Sequence, residues 1–163
     1  MNRRALTTMT LGFLAVLLAT ALPQSGFAQG TPLIGTWKLN LAKSKYSPGP
    51  APRSGTTTFE VAGQGLRITA EGIDAQGKPT KTDFGVILFD GKSYPVTGAP
   101  AYDASSYKLV NASTFEYTRT KAGKVIQTAT SVVSADGKTR TLTTIGVDEK
   151  GQQINNIAVY DKQ

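Results

Sequence analysis

From residue 33 onward the chain alternates apolar and polar positions with a period of two. In the stretch Leu33 to Leu41, Trp37, Leu39 and Leu41 fall on one side and Lys38 and Asn40 on the other, the pattern of a strand with one buried face. The alternation returns at Phe59 and Val61 against Thr58 and Glu60, and at Leu66, Ile68 and Ala70 against Arg67, Thr69 and Glu71. Phe84, Val86 and Leu88 continue it, and further strands are predicted at Tyr107–Val110, Phe115–Tyr117, Val125–Val133, Thr139–Ile145 and Ile154–Tyr160. Between them lie Gly63-Gln64-Gly65, Asp74 to Gly77, Asp90-Gly91-Lys92, Asn111 to Ser113, Lys121 to Lys124, Asp136-Gly137-Lys138 and Asp148 to Gly151. These are turn sequences, because Gly reaches positive φ and Asp accepts local N–H bonds, and Asp-Gly between apolar runs is a strong hairpin signal. The region Tyr94 to Asp103, with Pro95, Gly98 and Pro100, reads as a short strand and a turn. Helical periodicity is missing after the N-terminal stretch, and Thr and Val, which favour strands, are abundant. The pattern predicts an all-β protein: an antiparallel up-and-down meander barrel of about 8–10 strands, seeded and closed by its first strand.

Two stretches modify that picture. Pro48-Gly49-Pro50-Ala51-Pro52 follows Lys43, Lys45 and Tyr46, and proline at alternate positions forbids both helix and central strand. This segment is an extended connection between the first two strands, or a lid. Residues 56–78 and 130–152 also align at a fixed offset, matching Thr56 with Thr130, Gly63 with Gly137, Thr69 with Thr143, Gly72 with Gly146, Asp74 with Asp148 and Gly77 with Gly151. The recurrence of one hairpin geometry suits a meander better than a Greek key.

The N-terminus carries Arg3-Arg4, an apolar run from Leu11 to Leu22, and Gly26-Phe27-Ala28. A basic start, a short apolar core and small residues at the −3 and −1 positions describe a secretory signal peptide over residues 1–28, cleaved after Ala28. The apolar core is shorter than the ~20 residues that span a bilayer, so no integral membrane segment is expected after cleavage. The reading gives an exported protein, periplasmic or extracellular, with residues 29–163 as a single barrel domain. Arg3-Arg4 leaves open whether export is general or twin-arginine. The formal charge of +7 loses two with the leader, which holds no acid.

Zero Cys and zero His narrow the chemistry most. Ser-His-Asp and Cys-His machinery, covalent haem attachment through Cys-x-x-Cys-His and ordinary zinc sites are all excluded, and no disulfide helps the fold. A glycosidase-like carboxylate pair is the remaining hydrolytic option. Asp74, Asp90, Asp136, Asp148 and Glu149 belong to turns, Glu60, Glu71 and Glu116 to polar strand faces, and Asp161 to the terminus, which leaves only Asp83 and Asp103. The Asp-x-x-Gly turns lack the alternating acids of a calcium loop. No enzyme, no cofactor and no metal is expected. Tyr107, Phe115 and Tyr117 beside Lys108 and Arg119 could suit an oligonucleotide-binding barrel, but an exported protein rarely meets nucleic acid, and none is expected as partner.

The order of strands and the opening Gly35-Thr36-Trp37 resemble the calycin superfamily of lipocalins, fatty-acid-binding proteins and avidin-like barrels, and Gly35-Thr36-Trp37-Lys38-Leu39 is similar to the start of intracellular fatty-acid-binding proteins. The resemblance implies a lipocalin-like barrel closed at one end by Gly35 and Trp37, with a late-strand arginine, Arg140 by position, across the indole. The departures are the proline-rich segment where fatty-acid-binding proteins carry a helical lid, the absence of a C-terminal helix, and a single tryptophan where biotin binders use several. With Lys43-Ser44-Lys45-Tyr46 and Asp90-Gly91-Lys92 followed by Tyr94-Pro95, the chain is also similar to small exported bacterial proteins of uncharacterised function.

Two functions follow. The first is a non-enzymatic binding barrel for a small apolar or amphipathic ligand, an anion among the options, with Tyr46, Phe84, Tyr107, Tyr117, Lys121 and Lys124 as ligand-binding candidates. The second is a structural or protein-interaction module whose interior is filled by its own side chains. In a meander the odd-numbered connections share the end away from Trp37, and they hold Lys43, Lys45, Lys78, Lys121, Lys124 and Lys150 against Asp74, Asp103, Asp148 and Glu149, a basic rim suited to an anion. Nothing in the pattern sets an oligomeric state.

Overall fold

The structure, a computed structural model, describes residues 31–163. The proposed leader and its cleavage point lie outside the described residues. The period-two segments form ten antiparallel strands: β1 (Gly35–Leu39), β2 (Ser54–Ala62), β3 (Gly65–Ile73), β4 (Pro79–Ile87), β5 (Asp90–Pro95), β6 (Ala104–Asn111), β7 (Thr114–Lys121), β8 (Lys124–Val133), β9 (Thr139–Val147) and β10 (Gln153–Lys162). They make one sheet in the order β4-β3-β2-β1-β10-β9-β8-β7-β6-β5. The first and last strands pair, Trp37 opposite Lys162 and Leu39 opposite Tyr160, so the meander curls nearly into a ring. This is the all-β up-and-down barrel that the alternation predicts, at the upper end of the strand count.

The ring is interrupted between β4 and β5, which are not paired neighbours. There the chain after β5 returns to β4, and Asp83 and Thr97 exchange backbone hydrogen bonds of 3.1 and 3.2 Å. Gly98 permits that approach, because its φ is 78° and a Cβ there would sit 2.1 Å from the Lys81 carbonyl oxygen.

Four local expectations are corrected. Val86 and Leu88 do not continue the face of Phe84, because a bulge at Phe84 and Gly85 shifts the register and Ile87 and Phe89 are buried instead. Leu41 does not extend the buried face of β1. Asn40 caps a 3₁₀ turn at Leu41–Lys43 by accepting from the Lys43 N–H, and Leu41 is left exposed. Asp90-Gly91-Lys92 is not a hairpin tip. The chain reverses one step earlier, at Leu88 and Phe89, the latter at φ 56°, and Asp90 begins β5 with a register shift before Ser93. The alignment at offset 74 is real at its second turn only. Asp74 and Asp148 each accept two backbone N–H bonds, from Gln76 and Lys78 and from Lys150 and Gln152. By contrast, Gly63 lies in a two-residue loop and Gly137 in the longer connection from Val133 to Thr139.

Trp37 is fully buried, and its indole N–H donates to the Leu33 carbonyl at 2.9 Å. Around and above it the inward positions of β2, β4, β6 and β7 carry Phe59, Phe84, Tyr107, Phe115 and Tyr117, which with Phe89 and Tyr102 form one buried aromatic cluster. Its rings meet mostly edge-on or tilted, with centroids 5.4 to 6.5 Å apart. The half of the barrel nearest Trp37 is thus packed solid. The other half differs: Gly55 and Thr57 on β2, Ala70 and Gly72 on β3, and Thr80 and Thr82 on β4 line a space of about 180 Å³ beside Leu39 and Tyr160.

Candidate ligand site at the barrel mouth

The end away from Trp37 holds the connections β1–β2, β3–β4, β5–β6, β7–β8 and β9–β10. Four of them enclose a recess of about 340 Å³: Tyr46 to Pro52 from the first, Asp74 to Gln76 from the second, Ala101 from the third, and Asp148 to Lys150 from the last. The proline-rich segment is a wall of this mouth. After the 3₁₀ turn, Lys45 pairs with Ile157, and Ser47 accepts from the Asn155 N–H, so the chain follows β10 before the prolines cross to β2. Pro52 lines both the mouth recess and the smaller interior space.

Gln127 lies at the bottom of the recess, only 6 % exposed. Its side chain donates to the Val147 carbonyl at 2.9 Å and accepts from Arg119 Nη1 at 3.0 Å. Arg119 stands directly behind, on the inward face of β7, opposite Gln127 in the sheet register. Its guanidinium carbon is 4.2 Å from the Tyr102 ring centroid and 4.6 Å from that of Tyr117, and its Nε is sealed from solvent without a hydrogen-bond partner. No carboxylate pairs with it among the described residues. Arg119 is thus a partly buried cation held by ring faces and one amide, with one buried donor short of an acceptor. A second interior arginine, Arg140 on β9, is 2 % exposed and lies 5.8 Å from the Trp37 ring and 4.2 Å from that of Tyr160, at the packed end. Burial lowers its pKa from the ordinary arginine value.

The sequence candidates distribute as follows. Tyr46 lines the mouth, and burial raises its phenol pKa well above the ordinary tyrosine value. Phe84, Tyr107 and Tyr117 are in the aromatic cluster, with Tyr117 and Phe84 against Arg119. Lys121 donates to the Pro100 carbonyl at 3.1 Å, Lys124 is exposed at the start of β8, and neither lines the recess. Gly35, at φ 124°, lets Lys162 pass 3.0 Å from where its Cβ would be, beside Trp37. The rim count also changes at close range, because the acids that line the recess are Asp74, Asp148 and Glu149, against Lys150 alone. Asp74 and Asp148 are engaged by their own turns, as noted above.

The two acids left open by sequence are engaged too. Asp83 pairs with Arg67 on the outer face and accepts from the Gly85 N–H, while Asp103 accepts from the Ala122 N–H at 2.8 Å. Arg119 is the residue that the sequence reading weighed only for a nucleic-acid surface and then set aside. It belongs with Phe115 and Tyr117 by the period of two, and that spacing points it inward.

By topology the chain is an all-β antiparallel up-and-down barrel, nearly closed, with Arg140 placed over Trp37 inside it. No family model and no curated protein matches it. Among solved structures, it is similar to zebrafish ileal bile acid-binding protein complexed with cholic acid, at 11% identity and a TM-score of 0.49, over 81% of this chain and 99% of that one.

Proposed function

We propose that the chain is an exported, non-enzymatic binding barrel that takes a small amphipathic anion at its mouth. The observation that supports this is the recess floored by Gln127 with an unpaired, largely enclosed arginine behind it. The apolar part of the ligand would lie along Tyr46, Pro50, Pro52 and Ile154, and the acid group would reach inward to Arg119. The acids on the lip face water, where charges are screened within ~8–10 Å, whereas Arg119 is walled by rings and acts at short range in a poorer dielectric. Selectivity for an acid over a matched alcohol therefore comes from inside the barrel, and the rim lysines Lys121 and Lys124 contribute little.

Titrating a panel of fatty and aryl acids against the corresponding alcohols, with melting temperature and calorimetry as readouts, tests the reading. Acids should stabilise the wild type, alcohols should do so less, and Arg119→Met should abolish the difference. Equal behaviour of acid and alcohol in wild type would refute the anion site. The packed aromatic half favours the second reading, a side-chain-filled interaction module. That reading gains if no member of the panel shifts the melt and the protein purified from its native host carries no small molecule by mass spectrometry.

A further inference from the structure

Loops run over protein surfaces, yet the β5–β6 connection sends a large ring inside. Tyr102 is 8 % exposed and stacks on Phe84, with centroids 6.5 Å apart and planes 14° from parallel. Its other neighbour is the Arg119 guanidinium at 4.2 Å. Ala101, one residue before it, lines the mouth recess. Tyr102 therefore lies against the cation, one residue away from the recess wall.

The segment that carries it is fastened at its two feet. Thr97 pairs with Asp83, and Asp103 bonds to Val96, Thr120 and Ala122. Between those feet, among the described residues, the arch 98–102 has one further hydrogen bond, from Lys121 Nζ to the Pro100 carbonyl on an exposed side. An arch of five residues beginning with a glycine at φ 78° can lift as a unit once its ring leaves the interior.

Building on the proposed mouth site, we infer that Tyr102 is the barrel's own occupant of the anion-binding slot, and that the arch 98–102 is its gate. The position that Tyr102 takes, beside Phe84 and against the Arg119 guanidinium, which itself lies 5.8 Å from the Phe84 ring centroid, is that of one ring. The ligand class it selects is a flat aromatic or fused-ring acid, carboxylate or sulfonate, whose ring replaces the phenol on Phe84 and whose acid group satisfies Arg119. Binding in the wild type is weakened by the fraction of molecules in which Tyr102 already fills the slot.

The test uses 8-anilinonaphthalene-1-sulfonate as the anionic ring probe and uncharged N-phenyl-1-naphthylamine as its neutral counterpart. Tyr102→Ala should bind the sulfonate at least about ten-fold more tightly than wild type, with the near-ultraviolet dichroism of Trp37 unchanged to show that the core is intact. Asp103→Ala, which keeps the ring and only loosens one foot, should shift affinity the same way by a smaller factor, and it serves if Tyr102→Ala fails to fold. Adding Arg119→Met to either variant should erase the preference for the sulfonate over the neutral amine. Equal, measurable affinity in wild type, Tyr102→Ala and Asp103→Ala would overturn the gate while leaving the mouth site standing. A gain that persists undiminished without Arg119 would overturn the shared slot, and absence of sulfonate binding in all the proteins would overturn both proposals.

Discussion

At the scale of single residues, the barrel keeps two arginines inside and treats them differently. Arg119 has an amide partner and a recess in front of it, whereas among the described residues Arg140 has neither recess nor carboxylate. Nε and Nη2 of Arg140 lack partners, and Nη1 reaches Ser131 Oγ only at 3.5 Å. An unmet buried donor costs roughly 1–3 kcal/mol, and a cation over an aromatic face returns roughly 0.5–2 kcal/mol. Arg140 sits over the rings of Trp37, Phe59 and Tyr160, so the two contributions nearly cancel. Arg140→Met should therefore change the stability measured by urea unfolding by less than about 1 kcal/mol, while Trp37→Ala should cost ~3–5 kcal/mol, as for other buried aromatics. A loss above about 2 kcal/mol for Arg140→Met would show that the ring contacts outweigh the orphaned donors.

At the scale of elements, the β4–β5 seam concentrates the strain of closing the barrel. Gly98→Ala would put a methyl group 2.1 Å from the Lys81 oxygen at a φ of 78°, whereas Gly91, at φ 77°, has nothing within 4 Å of its would-be Cβ. Both substitutions carry the same left-handed backbone penalty, about 1–3 kcal/mol. Only Gly98→Ala should cost more than that and speed amide exchange at Thr97 and Asp83, and equal losses at the two sites would mean that the seam is not a tight contact. The strands themselves were legible because inward Trp37, Phe59, Ile68, Phe115, Tyr117 and Ala129 keep the period of two that burial of one sheet face demands. The seam was not. Phe89 takes a left-handed conformation that its residue type disfavours, and it is held there by packing against Tyr107 and Phe115, partners remote in sequence. Arg119 could be placed inside by counting from Tyr117, but its lack of an acid emerges only once every neighbouring strand is in register.

At the scale of the whole molecule, the interior is divided along its axis, rings packed around Trp37 below and small side chains below the mouth loops above. The two halves meet at Phe84 and Tyr102, the upper edge of the aromatic cluster, while the rings nearest Trp37 are remote from the mouth. Closure of the ring follows from the order of strands. Eight of the nine pairings join strands adjacent in sequence, and the ninth joins β1 to β10.

That single distant pairing has a kinetic consequence. Folding slows as the chain must bring together residues far apart in sequence, and here one ladder, Trp37 to Leu39 against Tyr160 to Lys162, accounts for the greatest separation. A circular permutant that links Gln163 through a short flexible linker to Thr31, and opens the chain between Leu88 and Phe89, would read β5 to β10 and then β1 to β4. Every hydrogen-bonded pair of strands would then be a hairpin between neighbours, and the new ends would fall at the seam, where no ladder is cut. Stopped-flow refolding followed through Trp37 should show the permutant folding faster than the parent chain. An unchanged rate would mean that the β1–β10 pairing forms after the barrier to folding has been crossed.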